Sequence, residues 1–219
     1  MITETPSGEE TNPRPPCLLL SDGASIGQLD LGIAKALVTN AGASKVALMT
    51  HQGKRFFVEA LCSEGTVYIW GAGHISRELA PLTRHVGFQT IVLDDRQEFA
   101  NRDHFETADE IIVLNAFDRA MDGLEINEDS YVVIVTRGHA HDKTLLAQAL
   151  GTNAGYIGMI GSRSKRDAVY DALCKEGFSR EEFKRVCSPI GLDIGAETPA
   201  EIAVSIVAEL IKARAEKNQ

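Results

Sequence analysis

Apolar residues recur along the chain in two rhythms, and the change between them falls near residue 66. From there on, short β-branched and aromatic runs alternate with longer stretches whose apolar residues repeat at helical spacing. Strands are predicted at residues 66–70, 90–93, 111–114, 131–136 and 156–160. Helices are predicted at 74–86 (Ile75, Leu79, Leu82 and Val86 on one face), 140–150, 163–175 and from 198 to about 215. The last opens on Thr198-Pro199-Ala200-Glu201, a capping box with proline at the first helical position. Repeated strand–helix units of this kind form a parallel sheet through right-handed crossovers.

Before residue 66 the pattern is shorter and mixed. Cys17-Leu18-Leu19-Leu20 reads as a strand and Ser21-Asp22-Gly23 as a turn. Leu29, Ile33, Ala36 and Leu37 predict a helix over 29–39, stopped at Asn40-Ala41-Gly42. Two strands, 45–50 and 55–60, flank the Gln52-Gly53 turn. The unbroken apolar run Val46-Ala47-Leu48-Met49 predicts burial on both faces. Residues 1–16 are polar and hold four of the seven prolines, so they are expected to form a flexible tail. The fold class is therefore α/β: a Rossmann-like doubly wound parallel sheet over 66–219, preceded by a small α+β unit over 17–65.

Composition narrows the function. With 44% hydrophobic and 24% charged residues, the chain is ordinarily globular and long enough to bury a core unaided. A net charge of −9 disfavours nucleic acid and anionic membrane as partners, since both are polyanions. No apolar run reaches a membrane span, and the polar start does not resemble a signal peptide. Cys17, Cys62, Cys174 and Cys187 form no Cys-x-x-Cys, as in a cytoplasmic protein with reduced thiols.

Five segments carry candidate chemistry. Gly71-Ala72-Gly73-His74-Ile75-Ser76 sits between a strand and a helix, where glycines admit a pyrophosphate to free N–H groups at the helix start. Ser76 stands where a third glycine is usual, and its side chain is expected to hold helix and strand apart. Asp94-Asp95-Arg96 closes the second strand; Asp94 follows Gly71 by 23 residues, the spacing of an acid that grips a ribose. Arg96 is the alternative contact, to a 2′-phosphate, so NAD, NADP and FAD stay unseparated. Thr136-Arg137-Gly138-His139-Ala140-His141-Asp142 follows the fourth strand and is expected beside the glycine turn. Here Arg137 is a candidate anion contact, His139 a candidate proton donor or anchor, and Asp142 a candidate helix cap. In Gly161-Ser162-Arg163-Ser164-Lys165-Arg166, three cations crowd a helix start against its dipole, so a bound phosphate is expected to offset them. Finally, residues 188–199 form a loop long enough to close over a ligand or to be purely structural.

Taken together, YIWGAGHISRELA, LDDRQEFA, TRGHAHD, YIGMIGSRSKR and SPIGLDIGAETPAEIAVSIVAEL resemble the xanthine dehydrogenase accessory protein family (XdhC/CoxI), almost continuously over residues 66–213. The resemblance implies a C-terminal Rossmann domain and an accessory role ahead of catalysis, while the glycine turn and Asp94 leave an NAD(P)- or FAD-dependent oxidoreductase, or a nucleotide-gated regulatory module, as alternatives. It implies binding of the molybdenum cofactor (molybdopterin), help with its sulfuration, and delivery to a molybdenum hydroxylase apoenzyme. A cysteine desulfurase as sulfur source and a homodimeric state belong to the same expectation. Residues 22–30 resemble the family's DGxxIG segment, without the Gly-Gly-Cys that usually precedes its acid.

Overall fold

The computed structural model describes residues 1–5, 15–20, 23–41, 46–59 and 65–217. The chain divides into two compact units that part between Cys62 and Ser63.

The first unit holds strands β1 (Ile2–Thr5), β2 (Leu18–Leu19) and β3 (Ser25–Ile26), helix α1 (Leu31–Ala41), and strands β4 (Val46–His51) and β5 (Lys54–Glu59). A three-stranded antiparallel sheet runs β1-β5-β4, and β2 pairs with β3. Two expectations are corrected. Ile2–Thr5 belongs to no flexible tail: it pairs with residues 55–58 of β5, and Ile2 is buried against Leu37, Phe56 and Val58. Val46–Met49 is not buried on both faces. It is an edge strand whose residues alternate, with Val46 and Leu48 exposed and Ala47 and Met49 half-buried, as in an antiparallel sheet covered on one side. Asp30 caps α1, accepting from the N–H groups of Gly32 and Ile33 at 2.9 and 3.1 Å.

The second unit carries β6 (Thr66–Trp70), α2 (His74–His85), β7 (Gln89–Asp94), β8 (Glu110–Val113), β9 (Ser130–Ile134), α3 (His139–Leu150), β10 (Tyr156–Met159), α4 (Arg163–Lys175), β11 (Val186–Cys187) and α5 (Pro199–Lys217). Its six strands are all parallel, in the order β8-β7-β6-β9-β10-β11. Counted from β6, this is the doubly wound 3-2-1-4-5-6 order. The five predicted strands form; β11, two residues long, carries too little pattern to be read. Helices cover both faces, so β7 and β9 bury nearly every residue, the cause of their continuous apolar runs. Alternate residues feed two cores. Val67, Ile69, Val92 and Val133 pack beneath α2 and α5; Tyr68, Trp70, Leu93, Val132 and Ile134 pack beneath α3 and α4. Chain order reverses between β6 and β9, so a crevice opens beyond their carboxyl ends.

Candidate functional site

The glycine turn sits at that reversal. Gly71 has φ +109°, and a Cβ there would lie 2.5 Å from the carbonyl oxygen of Val135, so only glycine lets the turn pass β9. Gly73 differs: a Cβ on it would meet nothing within 4 Å, leaving its backbone open to a ligand. Ala72 is buried, and its N–H donates to Asp94 Oδ2 at 2.7 Å. His74 is exposed and Ile75 half-buried at the first turn of α2. Ser76 does not push helix and strand apart. It is fully buried and its hydroxyl donates to the carbonyl of Gly71, which ties the helix start to the turn.

Asp94 ends β7 with its carboxylate 2% exposed. Oδ2 accepts from Ala72 N–H and from Arg96 Nη2 at 3.0 Å; Oδ1 accepts from Arg96 N–H at 3.0 Å and Arg96 Nε at 2.9 Å. The expected ribose acid is thus turned inward, bracing the glycine turn against the end of β7. Arg96 lies over it, with its guanidinium carbon 4.0 Å from the centre of the Phe99 ring. Asp95 belongs to the same cluster, its Oδ1 3.8 Å from Arg96 Nε. It takes Nη1 and Nη2 of Arg137 at 2.7 and 3.0 Å, joining the segment after β7 to the one after β9. This fork lowers the Asp95 carboxyl to about 2 and raises the guanidinium of Arg137.

The segment after β9 lies where expected: Val135 N–H donates to Trp70 O at 2.9 Å, beside Gly71. Gly138 precedes α3 in extended conformation, and His139 is the first residue of α3; the side chain of His139 lies outside the described residues. Asp142 is no helix cap. Its carboxylate is fully buried, accepts from the Thr136 hydroxyl at 2.6 Å, and forms an ion pair with Lys165.

That pair also corrects the reading of the basic turn. Lys165 reaches inward to Asp142, and Arg166 donates to Asp167 and to the carbonyl of Ser188. Two of the three cations are therefore offset by the protein itself. Gly161 has φ +145°, and the Ser162 hydroxyl accepts from Lys165 N–H at 3.2 Å, capping α4. Arg163 is exposed and forms no ion pair among the described residues. Gly161, Ser162, Arg163 and Lys165 all follow β10, one strand away from the crevice, and do not line it. The 188–199 loop is fastened: Ile190 N–H donates to Met159 O, Gly191 N–H to Glu209, and the Ser205 hydroxyl to Leu192 O.

The crevice itself is a cleft of about 530 Å³ lined by residues 71–75 and by Arg77, Arg96, Phe99, Val135, Thr136, Arg137 and Pro199. Among the described residues three arginines and a histidine line it and no carboxylate does, although Asp94 and Asp95 pair with Arg96 and Arg137, in a protein of net charge −9. Arg77 and Phe99 escaped the sequence reading. Arg77 stands one helical turn from His74 on the same face, a spacing that carries the signal. Phe99 lies in an irregular stretch that carries none. Among the described residues no cluster of His, Cys, Asp and Glu could hold a metal ion, and no helix is long and apolar enough to cross a membrane.

A parallel sheet in this order, with a glycine turn and an arginine-lined cleft at its switch point, defines a Rossmann-type domain. Residues 67–210 match the XdhC Rossmann domain, and the chain belongs to that family. It is 31% identical over 144 residues to the uncharacterised protein YqeB of Escherichia coli K12, a match covering 66% of this chain and 26% of that protein. It is 30% identical over 164 residues to a probable xanthine dehydrogenase component of Bacillus subtilis 168, covering 74% of this chain and 47% of the relative. The crystal structure of a xanthine dehydrogenase from Bacillus halodurans superposes with a TM-score of 0.75 at 25% identity, over 100% of this chain and 60% of that one. The chain thus spans about a quarter and about half of the two sequence relatives.

Proposed function

We propose that this protein is an accessory factor for a molybdenum hydroxylase of the xanthine dehydrogenase type. In this reading it binds a phosphate-bearing ligand in the switch-point cleft, either the molybdenum cofactor as cargo or a dinucleotide. Sulfuration of the cofactor and its insertion into the hydroxylase are the steps it assists. Family membership and the names of two relatives support the partner. The observation that carries the ligand class is the lining of the cleft: three arginines and glycine backbone, with no carboxylate among the described lining residues. Backbone N–H groups at the start of α2 and the guanidiniums of Arg77 and Arg137 are suited to a pyrophosphate.

Gly73→Asp tests this reading cleanly. Its side chain enters open space rather than the core, so the fold is expected to persist while a negative charge faces the phosphate. Native mass spectrometry with metal analysis, on protein isolated without oxygen from a molybdenum-replete host, is expected to show a pterin or nucleotide mass on the wild type and its loss on the variant. Equal activation of the hydroxylase by both proteins would refute the ligand-dependent role.

A further inference from the structure

We infer that the cleft selects a dinucleotide whose adenosine ribose carries a 2′-phosphate, and that Arg96 is the residue that reads it. The inference rests on the cleft being a phosphate-binding site, as proposed above, and adds which ligand it takes. In a Rossmann domain the ribose lies against the end of the second strand, where either an acid holds a 2′-hydroxyl or a nearby arginine accommodates a 2′-phosphate. The sequence leaves both open, because Asp94 and Arg96 stand side by side.

The hydrogen bonds decide between them. A carboxylate offers about four acceptor positions. Those of Asp94 receive Ala72 N–H, Arg96 N–H, Arg96 Nε and Arg96 Nη2. With the side chain 2% exposed beneath Arg96, a ribose diol finds no acceptor on it. Asp95 keeps acceptor positions beyond its fork with Arg137, but it does not line the cleft.

Arg96, by contrast, lines the cleft. Only Nε and Nη2 are held by Asp94, so the Nη1 donors have no acceptor among the described residues. The guanidinium is fixed from beneath by Asp94 and flanked by the Phe99 ring at 4.0 Å. Asp94 offsets part of the charge of Arg96 but holds the fork in one orientation, and its remaining free donors match a phosphate better than a hydroxyl. A phosphomonoester here and a pyrophosphate at the glycine turn together describe a 2′-phosphorylated dinucleotide.

Calorimetric titration of the full chain with NADP⁺, NAD⁺, 2′,5′-ADP, 5′-AMP and inorganic pyrophosphate tests this. NADP⁺ is expected to bind roughly ten- to a hundredfold more tightly than NAD⁺, with the same preference for 2′,5′-ADP over 5′-AMP. Arg96→Gln, which keeps a donor for Asp94, is expected to bring the ratio close to one by weakening NADP⁺ far more than NAD⁺. A wild-type protein that binds NAD⁺ as well as NADP⁺, or better, overturns the inference. If pyrophosphate binds and Gly73→Asp abolishes it, while NADP⁺ shows no advantage, the cleft reading stands and the 2′-phosphate inference falls. If pyrophosphate does not bind either, the cleft reading itself has failed.

Discussion

Asp95 and Arg137 are adjacent in space and 42 residues apart in sequence. Their fork spans the segments after β7 and β9, the strands on either side of β6. Arg137 is 42% exposed, so solvent screens the pair and its contribution at neutral pH is no more than about 1 kcal/mol. The sign of its pH dependence is nevertheless fixed. The Asp95 carboxyl falls from 3.8 to about 2 on folding, chiefly through the hydrogen bonds from Arg137. A group with a depressed folded value stabilises the native state above its unfolded value, and the contribution is lost as pH falls through the folded value. The stability difference between wild type and Asp95→Asn, measured by urea unfolding, is therefore expected to be constant above about pH 5 and to shrink between about pH 4 and 2. A difference that does not change across that window would show that the pair does not hold in solution. Residues such as Gly71 were legible beforehand because strand–glycine–helix order is local. The inward turn of Asp94 was not, because it depends on Arg96 and Ala72 both offering N–H groups to the same carboxylate.

At the scale of elements, strands and helices were readable wherever burial on one or two faces imposed a period. Helix α4 is the clearest case, its observed span Arg163–Lys175 coinciding with the predicted one. What the pattern hid was how helix starts are joined. Three cations at the start of α4 look like an anion site until Asp142, from the first turn of α3, is found to receive Lys165. The carboxylate is fully buried and the lysine side chain 16% exposed, so the pair pins α3 to α4 from inside. Removing one partner strands the other. Lys165→Met is expected to destabilise the protein by roughly 3 kcal/mol, and Asp142→Asn in the same chain to recover more than half of that. Chemical denaturation of the two single variants and the double variant measures the coupling. A Lys165→Met variant as stable as wild type would mean that Asp142 finds another partner. Arg163 is left as the cation of this turn that forms no ion pair among the described residues, one strand from the cleft.

For the molecule as a whole, a polar start and scattered apolar residues suggested a tail and a minor unit, and part of that tail proved to be strand β1. Local composition could not show this, because Ile2 is buried by residues of α1 and β5, more than thirty positions away. The larger unit raises a different question: whether it needs the smaller one to fold. Its two cores draw entirely on residues from Val67 to Ala213, with β6 and β9 buried at the centre of a six-stranded sheet and helices on both faces. A layered domain of this size closes its own core. Its cleft lining runs from Gly71 to Pro199, also inside the same unit. A fragment of residues 63–217 is therefore expected to unfold in one cooperative transition, followed by circular dichroism, and to bind pyrophosphate with the affinity of the full chain. Cooperative unfolding with weakened binding would mean that the first unit acts on the cleft. A fragment that melts without a cooperative transition would mean that the first unit is required for the sheet to close, against the separation of their cores.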